Sequence, residues 1–182
     1  MEEIKTKSLW SDYSKELSPN NKSLIEILKQ IPLLSKLSKR ELKIISKFAY
    51  ERNYEINEFV FQTGQPGAAM FIIKTGEVKI VKQNANGEYV EIALLEKGDI
   101  FGELALLDNS PRSAGALVSK PTNAIAIFRE DLNKLLETHP EIGGKIMMHL
   151  AIITGKRLKD TTSHLIQVEN ELNRLKEKYD VE

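Results

Sequence analysis

The sequence predicts a mainly β domain with flanking helices, a double-sheet jelly roll or barrel that leads into one long C-terminal helix. Three observations carry this reading. From Ala49 to Phe128 apolar and polar residues alternate with period two, in short runs divided by glycine, proline and an Asn-Gly pair. On both sides of that block the apolar period is helical. Within it no long helix separates the runs, which argues against a parallel sheet of βαβ units.

Composition narrows the class. The chain has 182 residues, enough for one domain with its own core plus an appended element. Lys+Arg and Asp+Glu are both 26, so the net charge is zero and nothing supports a dedicated nucleic-acid-binding face. There is no cysteine, which excludes disulfides and thiolate metal sites. The N-terminus is charged and does not read as a secretory signal. No stretch approaches the ~20 apolar residues that would span a bilayer. The protein is read as cytoplasmic, with no membrane and no nucleic acid among its partners.

In chain order, residues 1–20 are a polar arm with isolated Trp10, Tyr13 and Leu17. The arm is read as loosely ordered, with a short helix docking Trp10 and Tyr13 as the alternative. Residues 21–140 form the domain. Leu24, Ile27, Leu28 and Ile31 recur at helical spacing, and Pro32 ends that helix. Ser38 opens a second helix, with Glu41 three residues on as in a capping box. Eight strands follow, at roughly 49–54, 58–62, 68–75, 77–83, 88–95, 99–101, 113–119 and 122–128. Asn86-Gly87 marks a hairpin. Gly76 and Pro121 are read as turn residues. Leu132, Leu135 and Leu136 resume helical spacing, and Pro140 suits the first turn of the last helix. Residues 141–182 are a dimerisation helix.

One stretch departs from the strand pattern. In Gly98 to Ala114 two glycines flank an apolar run, followed by a polar loop, Arg112 and two small residues. Glu103 to Leu107 can form one helical turn whose first N–H groups, at Glu103 to Ala105, lack intrahelical partners and favour an anion. Gly102 lets a ligand approach the backbone. Arg112 supplies a forked cation suited to phosphate oxygens. Glu103 would repel phosphate, so it suits a neutral donor such as a sugar hydroxyl. Together these features suggest a ligand with a phosphate and a sugar.

Phe101-Gly102-Glu103-Leu104-Ala105-Leu106-Leu107, four residues, then Arg112-Ser113-Ala114 resembles the phosphate-binding cassette of cyclic nucleotide-binding domains, including the gap between Glu103 and Arg112. Pro32 to Ser38 with Glu41-Leu42 resembles the helical lead-in of the same family. The resemblance covers roughly residues 24 to 160. It implies that the Gly102–Ala105 N–H groups and Arg112 hold a cyclic phosphate and that Glu103 accepts from the ribose 2′-hydroxyl. It also implies that Ser113 bonds the phosphate or base edge, that Ala114 packs close, and that Ile80, Ile92 and Leu94 line the apolar part of the pocket. Ser113 leans the base choice to cAMP, with cGMP second.

The last helix carries a second pattern. Ala151, Leu158, Leu165, Leu172 and Tyr179 occupy position a of a heptad, and Thr154, Thr161, Val168 and Leu175 position d. His164 with Glu169, and Glu171 with Lys176, suit g-to-e contacts of a parallel homodimer through residues 151–179. Ile142 and Ile146 are expected to pack on the helix's own domain. Lys156 to Thr162 is similar to the phrase that, in regulators of the catabolite-activator type, carries a base-contacting hydroxyl pair. This makes Thr161 and Thr162 candidate base contacts, although the phrase lies one turn late when counted from Pro140. With heptads running to Tyr179, no helix-turn-helix is expected and a downstream protein partner is left unspecified.

Catalysis has little support. His139, His149 and His164 all lie in the C-terminal helical region, away from the strands where a jelly-roll metal site would need them. The functional expectation is a dimeric cyclic nucleotide sensor that couples occupancy to helix position. The alternative is a ligand-free dimeric scaffold or adaptor.

Overall fold

The computed structural model describes residues 21–179. The expectations for residues 1–20, including the docking of Trp10 and Tyr13, lie outside the described residues. Helix α1 (Asn21–Gln30) buries Leu24 and Leu28. Pro32 opens a 3-10 turn, Pro32–Leu34, that buries Leu33 and Leu34. Helix α2 (Lys39–Ile45) starts at the expected capping box. The Glu41 N–H donates to Ser38 Oγ at 3.3 Å, and the Ser38 N–H donates to Glu41 Oε2 at 2.7 Å.

The strands are β1 (Tyr50–Tyr54), β2 (Phe59–Phe61), β3 (Ala69–Gln83), β4 (Tyr89–Leu95), β5 (Ile100–Phe101) and β6 (Gly115–Phe128). All pairings between them are antiparallel, in the order β1-β6-β3-β4, with β2 on β6 and β5 on β3. The alternating pattern thus gives six strands rather than eight, because β3 and β6 each run through a residue that reads as a turn. At Gly76 (φ +97°) the β3–β6 register shifts, and both strands bend together. A Cβ on Gly76 would sit 2.3 Å from Thr122 Oγ1 and 2.4 Å from the Pro121 carbonyl, so only glycine fits. Glu77 pins the bend. Its N–H donates to Thr122 Oγ1 at 3.0 Å, and its carboxylate accepts from Ser119 Oγ and Lys120 Nζ at 2.7 and 2.6 Å. The two long bent strands fold the sheet over itself into the jelly roll, one half pairing with β1 and β5 and the other with β2 and β4.

Near the cassette both faces of the central strands are buried. Phe71 and Ile73 of β3, with Ala124 and Ala126 of β6, point into the barrel beside Tyr54 and Phe101. Their alternate neighbours Met70, Ile72, Ile125 and Ile127 point the other way, into a helical core. That core holds Leu28, Leu34, Leu42 and Ile45 from the lead-in. It also holds Leu132 and Leu135 of α4 (Arg129–Thr138), and Ile142, Ile146 and Leu150 of α5 (Pro140–Tyr179). Pro140 opens α5 as its residue type requires, and Ile142 and Ile146 pack on the domain as expected.

Lys145 of α5 reaches back to α2, donating to Glu41 Oε1 at 2.6 Å. The Lys145 bond, followed by the Ser38 backbone bond, holds the Glu41 carboxyl down at about 2 against an ordinary value of 4.5. A carboxyl depressed by folding contributes stability that is present above its ordinary value and is lost as pH falls towards the folded one. Glu41→Gln is therefore expected to melt below the wild type at neutral pH, with the gap closing as pH falls from 4.5 towards 2. Thermal melts at stepped pH measure this, and a gap that does not vary with pH would contradict it.

Candidate functional site

The site is assembled where β5 leaves the barrel. Phe101 stays inside, 2% exposed, stacked on Phe71 at 5.3 Å between ring centres. Gly102 then turns the chain at φ +68°, and a Cβ there would lie 2.5 Å from Arg112 Nη1 and 3.1 Å from the Phe61 ring. The glycine is required by conformation and by the side chains packed beneath it. Helix α3 (Leu104–Leu107) follows, with Glu103 at its N-cap. The Ala105 N–H already turns back to Gly102 O at 3.2 Å, and the Leu106 N–H to Glu103 O at 2.9 Å. Of the expected donors, those of Glu103 and Leu104 therefore lie ahead of the first turn's bonds. Leu106 is buried in the helical core, while Leu104 and Leu107 are exposed.

Arg112 is placed by its backbone before its side chain. Its N–H donates to Gln65 O, and its carbonyl accepts from the Gly64 N–H, both at 2.8 Å. A bridge between Pro66 and Pro111 flanks these bonds. The side chain is 8% exposed and lies under the cassette. Nη1 donates to Gly102 O at 3.0 Å and Nη2 to Ala69 O at 2.6 Å. The guanidinium carbon stands 3.9 Å from the centre of the Phe61 ring and 5.9 Å from that of Phe71. A desolvated cation–π contact of this kind is worth about 2 kcal/mol. It offsets only part of the cost of burying a charge, which is several kcal/mol for an ion without a counter-ion. Burial accordingly pulls the Arg112 guanidinium down to about 10, and the neighbouring Arg129 adds to the effect. The Nε of Arg112 is buried with no hydrogen-bond partner. The expected fork is thus satisfied by two carbonyls at its tips and keeps one orphan donor, which fits an anion beside the cassette.

Glu103 is 7% exposed, and its Oε1 accepts from Arg157 Nη1 at 2.6 Å. The other nitrogen, Arg157 Nη2, donates to Ile100 O at 2.6 Å. Arg157 belongs to α5, so the long helix touches the cassette at the residue expected to read a sugar. Sequence reasoning missed this partner, although Arg157 sits inside the phrase Lys156 to Thr162 that drew attention to the threonines. A carboxylate buried beside a phosphate site calls for a cation, and that requirement was the available signal.

Of the other expected residues, Ser113 is exposed and Ala114 half-buried, both adjoining Arg112 in the chain. Ala105 is buried against Gly67. Thr161 and Thr162 are exposed on α5, one turn beyond Arg157. No hydrogen bond joins either to the cassette, and the Thr162 hydroxyl donates to Leu158 O of its own helix. Ile80 packs on the barrel core, whereas Ile92 and Leu94 are exposed on β4. Among the described residues no cluster of His, Asp or Glu has the arrangement of a metal site, and no helix is long and apolar enough to cross a membrane.

Comparison with known proteins agrees with this fold. The family model for the cyclic nucleotide-binding domain matches residues 51–139. The cyclic AMP receptor protein of Thermus thermophilus is 30% identical over 150 residues, which are 81% of this chain and 68% of that protein. A CRP-like cAMP-activated global transcriptional regulator of Mycobacterium tuberculosis is 26% identical over 140 residues, 77% of this chain and 61% of the regulator. The chain therefore spans about two thirds of the length of these regulators. A crystal structure of a cyclic nucleotide-binding domain from Methylobacillus flagellatus superposes with a TM-score of 0.71 at 27% identity, covering 80% of this chain and 82% of the other. The cassette from Phe101 to Ala114, the bent two-faced strands beneath it and the extent of these matches lead to one conclusion: the chain belongs to the cyclic nucleotide-binding domain family.

Proposed function

We propose that this protein is a cyclic nucleotide sensor, for cAMP first and cGMP second, that converts occupancy into a position of α5. The observation that carries the reading is the ion pair between Glu103 and Arg157, which joins the sugar-side carboxylate to the long helix. In this reading the N–H groups of Glu103 and Leu104 and the Nε of Arg112 face the cyclic phosphate. Gly102 and Ala105 allow the close approach, and Phe101 supports the cassette from below. Glu103 accepts from the ribose 2′-hydroxyl, Ser113 bonds the phosphate or the base edge, and Ala114 packs close. Thr161 and Thr162 are the candidate base contacts from α5, since Arg157 already brings the preceding turn to the site.

The coupling follows from competition for one carboxylate. Arg157 and a ribose hydroxyl both seek Glu103, so ligand binding changes what α5 gains by staying where it is. A ligand shifts a conformational equilibrium only through such a difference in interaction between the two states. The names of the two bacterial regulators, which refer to cAMP, support that ligand, as does Ser113.

The helix beyond the domain supports a homodimer. Leu158, Leu165, Val168, Leu172 and Leu175 are 45–68% exposed along the heptad seam of α5, a stripe that a parallel partner helix would bury. The output is read as regulatory rather than catalytic, passing to a protein partner from a cytoplasmic dimer. The domain limits at residues 20 and 140 belong to the same proposal.

Arg112→Ala and Glu103→Ala are each expected to weaken cAMP binding by about 100-fold, the scale of a lost charged hydrogen bond in a desolvated site. Calorimetry measures this, and melting curves report whether each variant folds. Arg112→Lys, which keeps the charge and loses the fork, serves if the alanine variant does not fold. Unchanged affinity in the folded variants would sink the assignment. For the dimer, light scattering should give twice the chain mass for the wild type and a single chain mass for the double variant Leu158→Glu, Leu165→Glu. A monomeric wild type at working concentration would remove the coiled coil from the mechanism.

A further inference from the structure

We propose that Arg129 is a positioning residue of the phosphate site, its charge adding to that of Arg112 to draw and hold the anionic group. This rests on the nucleotide reading and extends it to a residue outside the cassette.

Arg129 is the first residue of α4, directly after β6. Its N–H donates to Ala68 O at 2.8 Å, and its Nη2 donates to Gly67 O. The Gly67 peptide is the wall of the cassette on that side. A Cβ on Gly67 would lie 2.8 Å from Ala105 Cβ and 3.5 Å from Arg112 Nε. One residue of backbone therefore has Arg129 Nη2 bonded to its carbonyl and Arg112 Nε 3.5 Å from where its Cβ would lie. The same loop carries Gly64 and Gln65, which hold the Arg112 backbone.

The charge balance here is unusual. The Nε atoms of Arg112 and Arg129 are both buried and without partners. None of the ion pairs within 4 Å among the described residues includes either arginine. Glu103, the cassette carboxylate, is bonded to Arg157. The loop between the two cations, Gly67, Ala68 and Ala69, offers no acid. The charge of Arg129 is felt at Arg112, where it follows burial as a cause of the lowered proton affinity and outweighs the opposing pull of the Glu103 carboxylate. Two like charges in a region of low dielectric repel, and an anion placed between their fields relieves that repulsion while gaining attraction from both. A bound cyclic phosphate would thus draw on two cations while touching one.

A purely structural Arg129 would tie α4 to the 67–68 loop and do no more. The two roles differ in their response to salt and to a charge-conserving change. The test is calorimetric titration of cAMP into the full chain, as wild type, Arg129→Gln and Arg129→Lys, at low and at high salt, with a melting curve for each variant. Arg129→Gln should bind about tenfold more weakly at low salt, and the deficit should shrink at high salt as the long-range attraction is screened. Arg129→Lys, which keeps the charge, should stay within about threefold of the wild type. If both variants bind as the wild type does, or both lose affinity equally at the two salt levels, the electrostatic role is overturned and at most a tie remains. A wild type that binds neither cAMP nor cGMP would overturn the nucleotide reading and this assignment with it.

Discussion

A buried guanidinium with no direct ion pair, reached by Glu103 only as a more distant charge, organises this domain. Arg112 costs the fold several kcal/mol by being charged in the interior. The surrounding chain is arranged to contain that cost. Two carbonyls take its tips, Phe61 covers its face, and the backbone of the 64–65 loop locks its main chain on both sides. Gly102 exists to make room for it. What these contacts leave is a positive centre with an unused donor, packed beneath the Gly102 turn. In the proposed reading the stability cost and the binding function have the same origin, since an anion would supply what the interior lacks.

The second constraint is that the strands near the cassette are buried on both faces. A strand packed on one side can carry a site without transmitting anything. Here β3 and β6 place alternate residues in the barrel and in the helical core. The cassette joins that helical core through Leu106, whose full burial is worth about 1.5–3 kcal/mol. Arg157 adds a polar link about two turns beyond Leu150 along the same face of α5. The cassette is thus connected to the long helix twice, once by packing and once by an ion pair. Packing joins it to the first turns of α5 and the ion pair to a turn beyond Leu150, so the two links can respond differently to a ligand.

The features legible in the sequence are those whose physics is local. The Ser38–Glu41 box, Pro140 at a helix start, the Asn86-Gly87 hairpin and the period-two block all depend on residues within a few positions of one another. Gly76 and Pro121 show where local reading fails. Both have turn chemistry, yet each lies within a strand, because the two bends face each other across the β3–β6 ladder and only a paired strand makes that visible. Arg157 shows the same limit for the site. It lies 54 residues from Glu103, and nothing near it in the chain marks it as the partner of a carboxylate.

Sequence by itself determined the fold class, the position of the cassette and the family to which it belongs. An ordered run of glycine, acid, small residues and arginine suggests phosphate and sugar chemistry from residue types and spacing alone. Tertiary structure decided which way the charges turn. It directed the tips of Arg112 to backbone carbonyls, gave Glu103 to the long helix, and brought Arg129 and Arg112 to the same 67–69 loop. Those outcomes depend on burial and on the meeting of distant segments. Charges in a low-dielectric interior must find partners wherever the fold brings them, and adjacency in the chain does not say where that is.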